Sequence, residues 1–325
     1  MLKNRIFSIS SEEDFLEVSL EVFKYQYSRN AVYREFCNFL KKTPSKVNEL
    51  KDIPFLPIQF FKSKKILSSE TPFQKIFTSS GTTGMATSKH YISDISLYEE
   101  SFRKGFRHFY GDIEDYVVLA LLPSYLEREG SSLIYMVQDL IEKSQHPESG
   151  FYLNNLEELA EILLRLDKSG KKVLLIGVSF ALLDLVEKQQ MALQNTIIME
   201  TGGMKGRRKE MIREELHQIL KEGFGTSSIH SEYGMTELLS QAYSFGDGIF
   251  KFPPWMQALI RDPEDALSYV ASGKTGGMNI IDLANLNSCS FIATQDLGKA
   301  IAKDSFEILG RFDNSDIRGC NLLVL

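Results

Sequence analysis

Between residues 11 and 42 apolar positions recur every third or fourth residue: Phe15, Leu16, Val18, Val22 and Phe23, then, after a break at Asn30, Val32, Phe36 and Leu40. That spacing predicts two amphipathic helices, with Ser11 and Asp14 as a capping pair at the start of the first. The run Ile53-Pro54-Phe55-Leu56-Pro57-Ile58 must be extended, because each proline disfavours helix in the residue before it. From residue 72 the pattern alternates. Lys75–Thr78, Tyr116–Leu122, Lys171–Gly177 and Thr196–Glu200 read as short strands. Asp94–Tyr110, Ser131–Lys143, Leu156–Leu166, Phe180–Gln189 and Arg207–Lys221 read as helices. Buried strands alternating with amphipathic helices predict an α/β fold with parallel sheet flanked by helices.

From Gly248 on, strand-like runs (Gln257–Arg261, Met278–Asp282, Cys289–Thr294) are separated by Gly, Asn and Asp, which predicts a β-rich subdomain completing the same body. No internal repeat, low-complexity segment or linker interrupts the chain. The expected organisation is a single body over residues 1–325: a helical N-terminal segment (1–70), an α/β core (71–247), the β-rich subdomain (248–309) and a hinge-like tail (310–325).

Composition narrows the partners. The chain has 325 residues, 43% hydrophobic and 25% charged, with a formal net charge of -6. A core of ordinary size is available, and there is no basic field for a nucleic-acid backbone. The N-terminus carries charges where a signal peptide needs an apolar stretch, and no apolar run is long enough to span a bilayer. Three cysteines, Cys37, Cys289 and Cys320, lack the spacing of a zinc site or a disulfide framework. A soluble cytoplasmic protein is expected.

Chemistry concentrates first in Thr78-Ser79-Ser80-Gly81-Thr82-Thr83-Gly84. Hydroxyls and glycine amides directly after a strand supply close-approaching donors for a polyphosphate, although many such clusters are solvated loops. The loop is not of the Walker type. Gly273-Lys274-Thr275 imitates the end of that motif, but Ser268 stands where its leading glycine belongs. Gly177-Val178-Ser179-Phe180-Ala181 approaches the nucleophile elbow of hydrolases, with Ala181 in place of the second glycine and none of the five histidines in an informative motif.

The glycine loop, with Lys89 standing two residues late behind it, resembles the signature of the acyl-adenylate-forming superfamily. Four further segments match in the family's order. Glu200-Thr201-Gly202-Gly203-Met204-Lys205 resembles the glycine pair that packs against adenine, and Glu232-Tyr233-Gly234-Met235-Thr236-Glu237 resembles its Y-G-x-T-E. Thr294-Gln295-Asp296-Leu297-Gly298 resembles the segment whose aspartate holds the ribose, and Gly310-Arg311-Phe312-Asp313 the hinge, whose arginine also contacts ribose. The resemblance implies the adenylate-forming body as the fold and ATP with Mg²⁺ as cofactors. It implies that Ser79, Ser80, Gly81, Thr82, Thr83 and Gly84 position phosphates, with Lys89 a candidate for neutralising the α-phosphate or pyrophosphate. Gly202, Gly203, Glu232, Tyr233, Gly234 and Met235 would surround adenine, with Tyr233 stacked on it. Thr236 would sit near the α-phosphate and Glu237 would bind the metal, while Asp296 and Arg311 would fix the ribose.

The chain stops 15 residues after Gly310, so the small C-terminal domain that carries a catalytic lysine in most of the superfamily is expected to be absent. The short form this chain is similar to is the LuxE family of acyl-protein synthetases. That likeness rests on Ile53-Pro54-Phe55-Leu56-Pro57, on Leu122-Pro123-Ser124-Tyr125-Leu126-Glu127-Arg128 with Ser131-Ser132-Leu133, on Glu200 to Arg207, and on a near-terminal cysteine, Arg318-Gly319-Cys320. In that family such a cysteine receives the acyl group and passes it to an acyl reductase partner. The implied substrate is a fatty or related carboxylic acid, and the implied catalytic set is Cys320, Thr236 and Lys89. Cys37 and Cys289 read as packing residues.

Three rivals are kept. Phenylacetate-CoA-ligase-like enzymes share the short N-terminal region and lysine-poor loop but retain the C-terminal domain. A hydrolase would turn over esters without ATP. A non-catalytic ATP-binding subunit of a reductase complex would have no need of Thr83, Glu237, Asp296 and Arg311 together.

Overall fold

The helix α1 (Leu2–Ile6) precedes α2 (Glu12–Arg29), which starts where the capping pair predicts. Ser11 Oγ accepts the Asp14 amide at 3.1 Å, and the Asp14 carboxylate accepts the Ser11 amide at 3.2 Å. Two orphan donors are thereby satisfied at once. Asn30 ends α2 and caps α3 (Ala31–Phe39), its side-chain oxygen accepting the Tyr33 amide at 3.0 Å. The proline-rich stretch is extended and gives the short strand β1 (Leu56–Pro57), followed by one turn of helix, α4 (Phe60–Ser63). This chain is described by a computed structural model over residues 2–79, 87–123, 130–202, 208, 211–302 and 304–311.

The strand β2 (Lys75–Thr78) forms as its pattern predicts, but in a different sheet. It pairs antiparallel with β3 (Lys89–Ile92) in a two-stranded ribbon outside the large sheet. Ser79 and Ser88 tie the two strands together beyond the last ladder pair: the Ser79 amide donates to the Ser88 carbonyl at 3.2 Å, and the Ser88 amide to Ser79 Oγ at 3.0 Å. Helix α5 (Ile95–Tyr110) follows.

The predicted alternation forms as β4 (Tyr116–Leu121), α6 (Ser132–Ser144), α7 (Leu156–Lys168), β6 (Lys172–Val178), α8 (Ser179–Lys188), β7 (Thr196–Thr201) and α9 (Arg213–Phe224), with two short strands that the apolar pattern does not mark, β5 (Gly150–Phe151) after α6 and β8 (His230–Tyr233) after α9. The strands lie in the order β8-β7-β6-β4-β5, all parallel, with β9 (Ala242–Ser244) antiparallel on β8. Every residue of β4 is buried, as expected of a parallel strand covered on both faces. Helix α9 begins at Arg213 rather than Arg207, because Ile212 before it is extended and no side chain caps the start. It ends on Gly225, where φ is +64° and a Cβ would stand 2.6 Å from the Met191 carbonyl oxygen, so no side chain fits. Strand β10 (Ile249–Lys251) closes this stretch.

The last third is β-rich as read. Strands β11 (Met256–Arg261), β12 (Thr275–Asp282), β13 (Phe291–Ala302) and β14 (Ser305–Arg311) run antiparallel in that order, and β1 adds to β13 in parallel. Cys289 falls just before β13 rather than within a strand, and both Cys289 and Cys37 are fully buried. Burial pushes the Cys37 thiol up to about 12, as suits a packing residue.

The chain divides into two compact units. One holds the described residues of Met1–Ser101, Met235–Ser240 and Lys251–Leu325; the other holds those of Phe102–Gly234 and Gln241–Phe250. In the first, the turn at residues 285–290 is gripped by the N-terminal helices. Gln26 Nε2 donates to the carbonyls of Asn285 and Leu286, both at 3.0 Å, and Asn30 Nδ2 donates to that of Ser288 at 3.0 Å. Phe23, Tyr33 and Phe55 pack around Phe291 with ring centroids 6.1 to 6.4 Å apart. Among the described residues no helix is long and apolar enough to cross a membrane.

Candidate active site

In the first unit the segment 235–240 forms a turn after the Glu232-Tyr233-Gly234 segment, and buried polar side chains hold it at each step. His90 meets the Thr236 carbonyl at 2.8 Å, Asn285 Nδ2 donates to the Glu237 carbonyl at 2.8 Å, and Asp282 accepts the amides of Leu239 and Ser240 at 2.7 and 2.9 Å. A buried turn has no water to satisfy its backbone, so side chains must do it. Thr236 is half-buried and Glu237 is buried. Burial holds the Glu237 carboxyl above its ordinary range, a shift opposed by a hydrogen bond from Ser88 and by the charge of Arg311.

Asp296 on β13 and Arg311 on β14 are register partners, with Arg311 Nε 3.7 Å from Asp296 Oδ1. The aspartate is buried while the arginine side chain is 81% exposed. The charges of both act on Glu237, so Glu237, Asp296 and Arg311 form one local electrostatic group.

The second unit brings together Glu200, Thr201 and Gly202 at the end of β7 with Glu232 and Tyr233 at the end of β8. Ligand sites of parallel sheets sit at such carboxyl ends. Thr201 Oγ1 donates to Glu232 Oε2 at 2.5 Å. At Gly234 a Cβ would stand 2.5 Å from Glu232 Oε1, so a side chain there would displace the Glu232 carboxylate. Tyr233 is half-buried and lies edge-on to Phe250, centroids 6.1 Å apart. Burial raises the Glu232 carboxyl to about 7, helped by the charge of Glu200 and opposed by Thr201.

Because the folded value lies above the unfolded one near 4.5, Glu232 contributes stability below pH 4.5 that is lost as pH rises through about 7. Glu232→Gln is therefore expected to match the wild type near pH 4.5 and to exceed it by up to about 3 kcal/mol above pH 8. Denaturant unfolding at the two pH values measures this, and a pH-independent difference would show that Glu232 does not titrate in the folded state.

Lys89 opens β3 with its side chain exposed, opposite Thr78 in register, and Ser79 is half-buried with its hydroxyl accepting the Ser88 amide. Ser80, Gly81, Thr82, Thr83, Gly84, Gly203 and Cys320 lie outside the described residues. Gly202 is exposed with φ +66° and Met235 is half-buried. Ser179, at the elbow-like step from β6 to α8, donates to the Gly202 carbonyl at 2.7 Å and lies 3.4 Å from Glu200. The histidine nearby, His217, instead lies 3.6 Å from Glu200 and 3.5 Å from Ser231. Among the described residues Ser179 therefore bonds a carbonyl and a carboxylate and not a histidine. Among the described residues no group of three or more His, Cys, Asp or Glu is placed to hold a metal.

Sequence reasoning missed His90, Asn285 and Asp282. A buried polar residue within an apolar run carries no periodic signal, so only the fold reveals these three.

Comparison with known proteins places this geometry. The family description "Acyl-protein synthetase, LuxE" matches residues 2–97 and 139–325. The long-chain-fatty-acid–luciferin-component ligase of Aliivibrio fischeri is 25% identical over 331 residues, covering 93% of this chain and 85% of the relative. That of Vibrio harveyi is 27% identical over 326 residues, covering 92% and 84%. Among solved structures, 2-hydroxyisobutyryl-CoA ligase with 2-HIB-AMP and CoA superposes with a TM-score of 0.66 at 13% identity, over 94% of this chain and 72% of that one. ATP-bound MatB from Rhodopseudomonas palustris superposes with a TM-score of 0.55 at 17% identity, over 75% and 49%. At such identities the structural likeness establishes the fold, that of the adenylate-forming ligases. The extent of the family match then settles the assignment: this chain is a ligase of the LuxE acyl-protein synthetase family.

Proposed function

We propose that the chain activates a long-chain fatty acid with ATP and transfers the acyl group first to Cys320 and then to a thiol of an acyl reductase partner. In the first step a carboxylate oxygen attacks the α-phosphorus and pyrophosphate leaves, giving acyl-AMP. In the second the Cys320 thiolate attacks the acyl carbonyl and AMP leaves, giving a thioester. A second thiolate then takes the acyl group by exchange. Arg318, two residues away in sequence, would favour the Cys320 thiolate by its charge.

The observation that carries the reading is Glu237, a buried carboxylate beside the Asp296–Arg311 pair in a turn whose backbone is held by the side chains of His90 and Asn285. Magnesium takes one or two carboxylates and completes its shell with substrate phosphates and water. A carboxyl whose anion is disfavoured by burial fits that use, since an incoming cation offsets the penalty. Glu237 would hold the ion, which neutralises phosphate charge. Thr236 would donate to the α-phosphate as charge develops there. Asp296 accepts from ribose hydroxyls with Arg311 beside it, and Glu232 and Tyr233 address the base. The loop residues Ser79 to Gly84 and Gly202-Gly203 supply amides and hydroxyls to phosphate and nucleotide. Exposed Lys89 remains available for the leaving pyrophosphate.

The test is incubation with ATP, Mg²⁺ and radiolabelled fatty acids, with protein-bound and soluble products separated. Hydroxylamine-labile label on the protein is expected, absent in Cys320→Ser while ATP–pyrophosphate exchange persists. Label surviving that substitution would sink the carrier role. A soluble CoA thioester as the sole product would replace the protein acceptor with coenzyme A.

A further inference from the structure

The side chain that fixes the Thr236 carbonyl belongs to β3, the strand that follows the glycine loop in sequence. His90 is fully buried, with Nδ1 2.8 Å from the Thr236 oxygen, Nε2 2.8 Å from Ser288 Oγ, and Phe61 edge-on to its ring at 5.5 Å. A carbonyl only accepts, so Nδ1 carries the proton. Nε2 is then the acceptor, and Ser288 donates to it. Burial lowers the imidazole to about 4, against the opposing pull of the Thr236 carbonyl, so the ring is neutral in this tautomer at working pH.

Ser88, the residue just before β3 and two before His90, hydrogen-bonds the Glu237 carboxylate through its side chain. The short segment from Ser88 to His90 thus holds the carboxylate of Glu237 through Ser88 and the backbone of Thr236 through His90. Ser288 is in turn fixed, because its carbonyl accepts from Asn30 at 3.0 Å and from Ser68 at 2.5 Å.

We propose that His90 is a positioning residue for adenylation: its imidazole, held between Ser288 and the Thr236 carbonyl, sets the Thr236–Glu237 turn so that the Thr236 hydroxyl and the Glu237 carboxylate address phosphate and metal together. This rests on the roles given to Thr236 and Glu237 above. A packing role alone would need the ring's volume and not its two opposed hydrogen bonds. Leucine would fill much of the same space and lose both bonds. Glutamine keeps a donor for the carbonyl and an acceptor for the hydroxyl.

The experiment compares the full-length wild type with His90→Leu, His90→Gln and Ser288→Ala by two readouts. One is ATP–pyrophosphate exchange over a Mg²⁺ titration, and the other is amide hydrogen exchange of residues 235–240. His90→Leu is expected to lower the maximal exchange rate roughly 100-fold, the size of effect a small misplacement of reacting groups produces, and to raise the Mg²⁺ concentration for half-saturation. His90→Gln should recover at least roughly a tenth of the wild-type rate, and Ser288→Ala should lose about fivefold. Amide exchange at 235–240 should quicken in His90→Leu and not in His90→Gln.

Wild-type rate, Mg²⁺ dependence and amide protection in His90→Leu would overturn the proposal. Equal impairment in His90→Leu and His90→Gln would also overturn it, since volume and not hydrogen bonding would then be at issue. Should His90→Leu fail to fold, the other two decide: wild-type behaviour in Ser288→Ala with no rescue in His90→Gln overturns the role. A wild type silent toward every acid rejects the adenylation reading instead, and the amide readout still judges whether His90 holds the turn.

Discussion

Glu237→Gln is expected to depress ATP–pyrophosphate exchange by roughly a hundred- to a thousand-fold while leaving the protein as stable as the wild type or more so. The two halves of that expectation share one cause. Burial disfavours the Glu237 anion, so the neutral amide removes an energetic cost from the folded state. The amide can still accept from the Ser88 hydroxyl, which keeps the turn's local bonding. What it loses is the negative charge, the feature that would draw a cation to this position, and stabilisation of developing phosphate charge is commonly worth that many powers of ten. Exchange assays over a Mg²⁺ titration, with unfolding midpoints measured alongside, check both halves. An unchanged exchange rate would remove Glu237 from the reaction; a steep loss of stability would mean that its charge serves the fold.

Asp282→Ala should have the largest effect on stability, about 4 kcal/mol. Asp282 is fully buried at the end of β12 and accepts four donors: the amides of Leu239, Ser240 and Ala284 at 2.7, 2.9 and 3.1 Å, and the Ser240 hydroxyl at 2.6 Å. Those donors do not fully offset its burial, which raises the carboxyl to about 6. Alanine nonetheless leaves three amides in a dry interior without their acceptor, and leaving buried donors unmade costs more than burying the charge they satisfied. The measurement is convenient. Trp255, the single tryptophan of the chain, donates its indole N–H to Ser240 Oγ at 3.0 Å and to Ser101 Oγ at 3.1 Å. Intrinsic fluorescence in a denaturant series therefore reads the same network that the substitution breaks. A midpoint within error of the wild type would show that the turn is held by other means.

Much of this molecule was legible before its structure. The capping pair at Ser11 and Asp14, the fully apolar run of β4 and the strand-to-helix step at Ser179 follow from local chemistry, and each forms where the pattern places it. Legibility fails where pairing is decided at a distance. Lys75–Thr78 reads as a strand, but nothing within it says that Lys89–Ile92 is its partner, because Lys-His-Tyr-Ile lacks the apolar run that marks a buried strand. The reason for that composition is His90, a polar residue retained inside for its two bonds. Asn285 and Asp282 were hidden in the same way, each a polar side chain amid an apolar stretch. The motif residues Thr236 and Glu237 were found by resemblance. The residues that hold them in place were found only once the chain was folded.

The interval between Gln26 and its acceptors at Asn285 and Leu286 is 259 and 260 residues of sequence, and that between His90 and Ser288 is 198. A ribosome adding about 5–20 residues per second needs roughly 13–50 s to cover the longer gap. Through that time α2 carries an unanswered amide on its inner face, and the turn at 235–240, made near the end of it, still waits for Asp282 and Asn285. The second unit, all of whose chain lies between residues 102 and 250, has by then been synthesised in full. During translation the turn at 235–240 is therefore expected to be among the last parts to gain its geometry. Nascent chains stalled before residue 285 should show a protease-resistant middle and a cleavable N-terminal helix pair.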